Sequence, residues 1–331
     1  MDQAEHEELI EGARRIAADA LSHYDLGGDC EISLLDISEN ATFKVVPRGD
    51  APVVLRVNRL GYHSPEAIES ELAWMTALRL EAGVTTPEAL RARSGARVVQ
   101  GRDPQTGAER NCVLFEFLPG SEPAEDDAPS FEALGEVTAR MHLHSRQWTK
   151  PEAFTRFSWD LDTAFGNNPR WGKWQDGPGV GESEIAILSR LEATIVDRLK
   201  AFGTGPERFG LVHADTRLAN LLVEGDQVSV IDFDDCGFSW FLYDLGTTVS
   251  FFEEAPQVPE LIDRWLTGYR RVTTLSAEDE AEIWTFVLYR RLLLLAWIGT
   301  HANVTIAQEL ADHYAADSCT LAEAYLSRLK S

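Results

Sequence analysis

Residues 5–22 place apolar side chains at helical spacing and predict an opening helix. Three strand-like runs follow: CEISLLDI at 30–37, ATFKVVP at 41–47 and PVVLRVN at 52–58. Ser38-Glu39-Asn40 is a polar turn between the first two, and Arg48-Gly49-Asp50-Ala51 is a hairpin signal between the second and third. Helical spacing returns in residues 64–83. Ser64 is placed to cap this helix, Pro65 suits its first turn, and Gly83 ends it with Pro87 beyond. Ile68, Leu72 and Met75 form its apolar stripe. Glu71 lies three residues after Ile68 and shares that inward face, so it needs a partner.

Two more strands are predicted at ARVVQ (96–100) and NCVLFEFL (111–118), and the turn-rich stretch PGSEPAEDDAPS (119–130) follows. From Phe131 the period is helical. The change places a lobe boundary at Leu118, with an N-terminal lobe of residues 1–118 and a C-terminal lobe of residues 119–331. Residues 155–180 are rich in Trp, Gly, Pro and Asn and read as a long irregular segment of the functional kind. A helix at 184–203 is followed by three short strand signals, GLVH, NLLVEG and QVSVIDF, the last two joined by the tight turn Glu224–Gln227. Beyond residue 242 the pattern is helical, with apolar runs at 260–270 and 282–299. Sheet then helix in this order is an α+β arrangement.

At 331 residues the chain has room for two domains, and 44% hydrophobic residues suffice for a core. Its 54 acidic against 30 basic residues give a net charge of −24. That balance disfavours nucleic acid and anionic membrane as partners; it is either a solvated surface that keeps the chain soluble or one that steers cationic ligands. The cysteines, Cys30, Cys112, Cys236 and Cys319, are scattered without metal-type spacing and point to a reducing, cytoplasmic setting. The charged N-terminus lacks the apolar core of a signal peptide, and the run LLLLAWI (292–298) is too short to span a bilayer. His142 and His144, two residues apart on a helix, face different ways and do not make a metal site. Nothing in the sequence sets the oligomeric state.

Two polar clusters end apolar runs: LVHADTRLANLL (211–222) and VIDFDDCGF (230–238). Folding the intervening residues into a hairpin brings Asn220 beside Asp232, with Asp215 in the loop just before. An amide and a carboxylate oxygen suit Mg²⁺, which takes one or two carboxylates and completes its shell with phosphate and water. A further carboxylate free of metal accepts a hydroxyl proton. Those are the parts of phosphoryl transfer.

His213-Ala214-Asp215 through Asn220, Ile231-Asp232-Phe233, and Tyr243-Asp244-Leu245 resemble the catalytic loop and metal-binding segment of the kinase fold. They are most similar to the aminoglycoside phosphotransferase-like superfamily, whose members include aminoglycoside, choline, homoserine and hydroxylysine kinases. The resemblance implies a two-lobe protein kinase-like fold, with a small mixed β-sheet N-lobe and a mainly helical C-lobe that clamp Mg²⁺ and ATP. It implies that Asp215 is the base, that Asn220 and Asp232 hold the metal, that His213 braces the loop, and that Asp244 ties the loop to a core helix. Arg56 then stands where relatives carry a phosphate-binding lysine, with Glu71 as its partner. The turn containing Ser38 and Asn40 replaces a glycine-rich loop, and backbone groups of Glu116 and Leu118 read adenine. Ala214 replaces a usual glycine.

By the same resemblance Arg217 meets the transferred phosphate; otherwise it faces solvent or pairs with Asp235. The substrate is expected to be a small molecule bearing a hydroxyl and an amine. Asp160, Asp162, Asp235, Glu253 and Glu254 are candidate partners for its charge. Trp159, Trp171 and Trp174 form either core or an aromatic wall around a cation. Two other readings are a stress-response-type serine/threonine protein kinase and a non-catalytic nucleotide-binding module.

Overall fold

The computed structural model describes residues 3–27, 29–37, 40–124, 127–225 and 227–330, with side chains from residue 7 onward. Ser38 and Glu39 of the expected phosphate-covering turn lie outside them. The chain folds as two compact units. The first comprises residues 1–80, 85–119 and 150–155, and the second residues 81–84, 120–149 and 156–331.

The first unit is a five-stranded sheet with the order β1-β2-β3-β5-β4. Its strands are β1 (Cys30–Ile37), β2 (Ala41–Pro47), β3 (Val53–Val57), β4 (Val98–Arg102) and β5 (Glu109–Glu116). Every pairing in it is antiparallel. In β2 the alternate residues Ala41, Phe43 and Val45 are buried, as a one-sided sheet requires. They join Leu55, Val57, Cys112 and Leu114 in a core closed by Ile16, Ala17, Ala20 and Leu21 of helix α1 (Gln3–Leu21). Gly101 of β4 allows that closure, because a Cβ there would overlap the backbone oxygen of Ile16. Helix α2 (Pro65–Ala77) starts as its sequence dictates: the Ser64 hydroxyl accepts from the Ala67 N–H at 3.2 Å. It continues into one wider turn, Leu78–Ala82, and stops at Gly83, which has φ +63°. Its buried face carries Ile68, Leu72, Met75 and the carboxylate of Glu71.

The second unit is mainly helical: α3 (Ala128–Gln147), α4 (Leu161–Phe165), α5 (Glu182–Phe202), α6 (Leu242–Thr248), α7 (Val258–Tyr269), α8 (Ala277–Ala281), α9 (Ile283–Thr300), α10 (Thr305–Leu310) and α11 (Tyr314–Arg328). α3 and α7 approach until their backbones touch. A Cβ at Gly135 would overlap the Trp265 carbonyl, and one at Gly268 would overlap that of Glu132. By length and composition α9 is apolar enough to cross a membrane, yet 83% of it is buried inside the fold. The residues from 156 to 180 are irregular apart from α4 and one 3₁₀ turn. Two small antiparallel pairs complete the unit: β7 (Leu221–Glu224) with β8 (Gln227–Val230), and β6 (Phe209–Val212) with β9 (Gly237–Trp240). The sequence pattern predicted β6, β7 and β8 but not β9.

Candidate active site

β6 ends at Val212, and the chain must turn sharply to reach the 3₁₀ turn Leu218–Asn220. Asp244, in the first turn of α6, holds that bend. Its Oδ1 accepts the Ala214 N–H at 2.7 Å, and its Oδ2 accepts the His213 N–H at 3.2 Å. Ala214 sits at φ +68°, a conformation that costs an alanine about 1–2 kcal/mol and a glycine little. The charge-assisted bond to Asp244 offsets this cost.

Behind Asp244, His142 of α3 places Nε2 at 3.0 Å from Oδ2, and its Nδ1 lies 3.0 Å from the Tyr269 hydroxyl. Burial holds His142 below its ordinary pKa, against the opposing pull of Asp244. The ring is therefore neutral, donating to Asp244 and accepting from Tyr269. Thr216 adds to the brace: its N–H donates to Thr247 Oγ1 at 2.9 Å and its hydroxyl to the Asp244 carbonyl at 2.7 Å. His213 works within the loop. Its Nε2 bonds the Ile231 carbonyl at 3.0 Å, and its Nδ1 accepts the Asp215 N–H at 3.2 Å. Those partners fix the tautomer with the proton on Nε2.

Asp215 is thereby presented by a rigid backbone, and its carboxylate is gripped from three sides. The Asn220 amide donates to Oδ2 at 2.8 Å and to the Asp215 carbonyl at 2.8 Å. Arg290 of α9 donates to Oδ1 at 2.8 Å. The Arg217 Nε spans both oxygens at 3.1 and 3.2 Å, with its guanidinium 5.4 Å from the Phe251 ring centre. Burial pushes the Asp215 carboxyl up, but the charges of Arg217 and Arg290 outweigh it and leave the group below its ordinary value. Asp215 is thus ionised at neutral pH. It can orient a hydroxyl in the ground state and take its proton as the alkoxide develops. Arg217 pairs with Asp215 rather than with Asp235.

The β7–β8 hairpin pairs Leu221 with Val230, and the Ile231 N–H donates to the Asn220 carbonyl at 2.9 Å. This register brings Asn220 next to the Asp232 segment. Asn220 spends its amide nitrogen on Asp215, so the amide oxygen is the atom left for a cation. Asp232 adopts φ +57° and offers a carboxylate. One amide and one carboxylate oxygen fit a hard divalent cation that draws its remaining ligands from phosphate and water.

In the first unit, Arg56 of β3 and Glu71 of α2 form a buried fork-to-fork pair at 2.8 and 2.9 Å. The guanidinium lies 5.4 Å from the Phe115 ring centre. Glu71 therefore has the partner its inward position demanded. The Asn40 side chain accepts the Arg59 N–H at 3.0 Å and so fastens the end of β3. The Glu116 N–H donates to the Glu88 carbonyl at 2.9 Å, which restricts any adenine contact there to the Glu116 carbonyl. Leu118 follows two residues later, half-buried.

A family model described as the phosphotransferase enzyme family matches residues 33–282. The chain belongs to that family. It is similar to the amicoumacin kinase of Bacillus subtilis (strain 168), with 23% identity over 292 residues covering 85% of this chain and 83% of the relative. The solved structure of a microcompartment-associated aminopropanol kinase superposes with a TM-score of 0.88 at 48% identity, covering 95% of this chain and 97% of that one. The amicoumacin kinase hAmiN, solved with AMP-PNP, Ca²⁺ and Ami, shares the fold with a TM-score of 0.76 at 20% identity, each chain covered to 96%. The protein is a small-molecule kinase of α+β architecture that uses ATP and a divalent cation.

Of the two readings of the tryptophans the structure shows the core one, and several of the candidate acids are engaged within the fold. Trp159 is fully buried and donates its indole N–H to the Asp235 carbonyl at 2.8 Å, so it lines no open wall. Trp171 and Trp174 are buried too. The Asp160 carboxylate caps α4, accepting the N–H groups of Asp162 and Thr163 at 3.1 and 3.0 Å. Glu253 is buried against Arg291 at 2.6 Å and the Tyr314 hydroxyl at 3.1 Å. Burial pushes its carboxyl up despite Arg291. Glu254 reaches the same arginine at 2.5 Å. Asp235 stays half-exposed.

Sequence reasoning missed Arg290, which touches Asp215, and His142, which backs Asp244. A signal for the first was present. Arg290 and Arg291 interrupt an otherwise apolar helix, and charges there require buried partners.

Proposed function

We propose that the enzyme uses Mg²⁺ with ATP and phosphorylates the hydroxyl of a short, cationic amino alcohol. The observation that carries this reading is the ionised Asp215 carboxylate, held by Asn220 on one oxygen and Arg290 on the other. Likeness at 48% identity to an aminopropanol kinase supports the acceptor class. In this reading Asn220 and Asp232 hold Mg²⁺, whose charge offsets that of the phosphates. Arg56, whose fork is held by Glu71, is read as contributing positive charge toward the phosphates in the place of a lysine. Asp235, half-exposed and near Arg290, is the acid read as meeting the ammonium group.

ADP release with Mg²⁺ tests the reading over a panel of amino alcohols, amino sugars and hydroxy-amino acids, each beside its deaminated analogue. A short amino alcohol such as 1-amino-2-propanol is expected to give the highest kcat/KM. Removing its amine is expected to lower that value about tenfold or more, the scale of a charged hydrogen bond of about 1.5–3 kcal/mol. Equal rates with and without the amine would refute the acceptor class.

A further inference from the structure

Arg290 sits in the middle of α9 with its guanidinium fully enclosed. An arginine does not shed its charge, so its burial has to be matched by acceptors. They come from separate segments. Nε donates to Ser250 Oγ at 3.1 Å, Nη1 to the Tyr243 hydroxyl at 3.0 Å and the Ala214 carbonyl at 3.4 Å, and Nη2 to Asp215 Oδ1 at 2.8 Å. The guanidinium also lies 5.0 Å from the Trp171 ring centre and 5.8 Å from that of Tyr243. Among these hydrogen-bond partners only Asp215 is a carboxylate. Ser250, Tyr243 and Ala214 aim the fork, and the fork aims at the base.

Arg217 differs in kind. It is about one-third exposed and meets the carboxylate through Nε alone. Asn220 holds Oδ2 from within the loop. Arg290 is the contact to Oδ1 from outside the loop, and it is the buried one. Two directed donors, one on each oxygen, fix both the position and the plane of a carboxylate.

We infer that Arg290 is a positioning residue for phosphoryl transfer, clamping Oδ1 of Asp215 from α9 so that the carboxylate faces the acceptor hydroxyl. The inference rests on the reading of Asp215 as the group that orients that hydroxyl. Displacing a reacting group by about 1 Å costs on the order of 10²-fold in rate, so the clamp acts on kcat and leaves nucleotide affinity alone.

The test uses the full chain with Mg²⁺, ATP and 1-amino-2-propanol, or the panel alcohol with the highest turnover. Arg290→Met is expected to lower kcat about 10²-fold while KM for ATP and the Kd for AMP-PNP stay within about twofold. Arg290→Lys should recover part of the loss, since it restores the charge but not the fork. Adding Arg290→Met to Asp215→Asn should cost less than about threefold more, because the carboxylate it clamps is already gone. Wild-type kcat in Arg290→Met, or losses that multiply in the double variant, would overturn the inference. If Arg290→Met does not fold, Tyr243→Phe removes one aiming bond while keeping the charge pair. It should lower kcat several-fold in a protein that still folds, with a melting temperature lower by only a few degrees, and unchanged kcat would overturn the inference. Near-normal turnover in Asp215→Asn alone would instead refute the reading of Asp215.

Discussion

Asp215→Ala is expected to lower turnover by at least about 10²-fold, the scale of a removed general base, with nucleotide binding largely kept. The separation follows from where the groups lie. Of the side chains proposed for the metal, Asn220 loses its bond to the Asp215 carboxylate but keeps the one to the Asp215 carbonyl. The acceptor hydroxyl loses the group that orients it. Alanine also strands Arg290, whose charge is buried and whose hydrogen-bond partners include no other carboxylate. Breaking one side of a buried pair costs roughly 3–5 kcal/mol, so the alanine variant should melt earlier as well. Asp215→Asn keeps the shape and one acceptor oxygen and should show the catalytic loss with less of the stability loss. Steady-state turnover, AMP-PNP titration and melting of the two variants separate these effects.

Asp244→Ala should damage the protein in a different way. Its carboxylate accepts the N–H groups of His213 and Ala214 and the ring of His142, all in the interior. Without it, those donors lose their acceptor at about 1–3 kcal/mol each, and Ala214 keeps the left-handed conformation with less to offset it. A net loss of about 3–5 kcal/mol is expected, which lowers the melting temperature by roughly 10 °C in a chain of this size. Calorimetry checks the value. Activity should vanish with the fold rather than before it. A melting temperature within about 2 °C of wild type would show that Asp244 does not hold the loop.

What the sequence disclosed depended on how far apart the interacting residues lie. β1 and β2 were legible to the residue, because alternation over eight and seven positions leaves little freedom. The nearness of Asn220 to the Asp232 segment was legible because a tight hairpin sets register by itself. Glu71 was readable as needing a partner, and Arg56 lies only 15 residues away.

Arg290 was not legible as a partner of Asp215. The two are 75 residues apart, and helix packing, which local pattern does not reveal, joins them. Glu253 read as a candidate partner for the substrate because Arg291, which buries it, comes 38 residues later. Trp159 sits in a segment whose composition suggests an exposed loop, yet β9 and α6 enclose it. β9 itself is only four residues long and pairs with β6, more than twenty residues earlier, so it gave no hairpin signal.

Transfer of the γ-phosphoryl group to an acceptor hydroxyl is observed most directly by phosphorus NMR of the enzyme with Mg²⁺, ATP and 1-amino-2-propanol. The expected result is a phosphomonoester resonance that grows in step with ADP and is nearly abolished by Asp215→Asn. Inorganic phosphate as the only other product, or phosphorus bonded to the amine nitrogen, would contradict it.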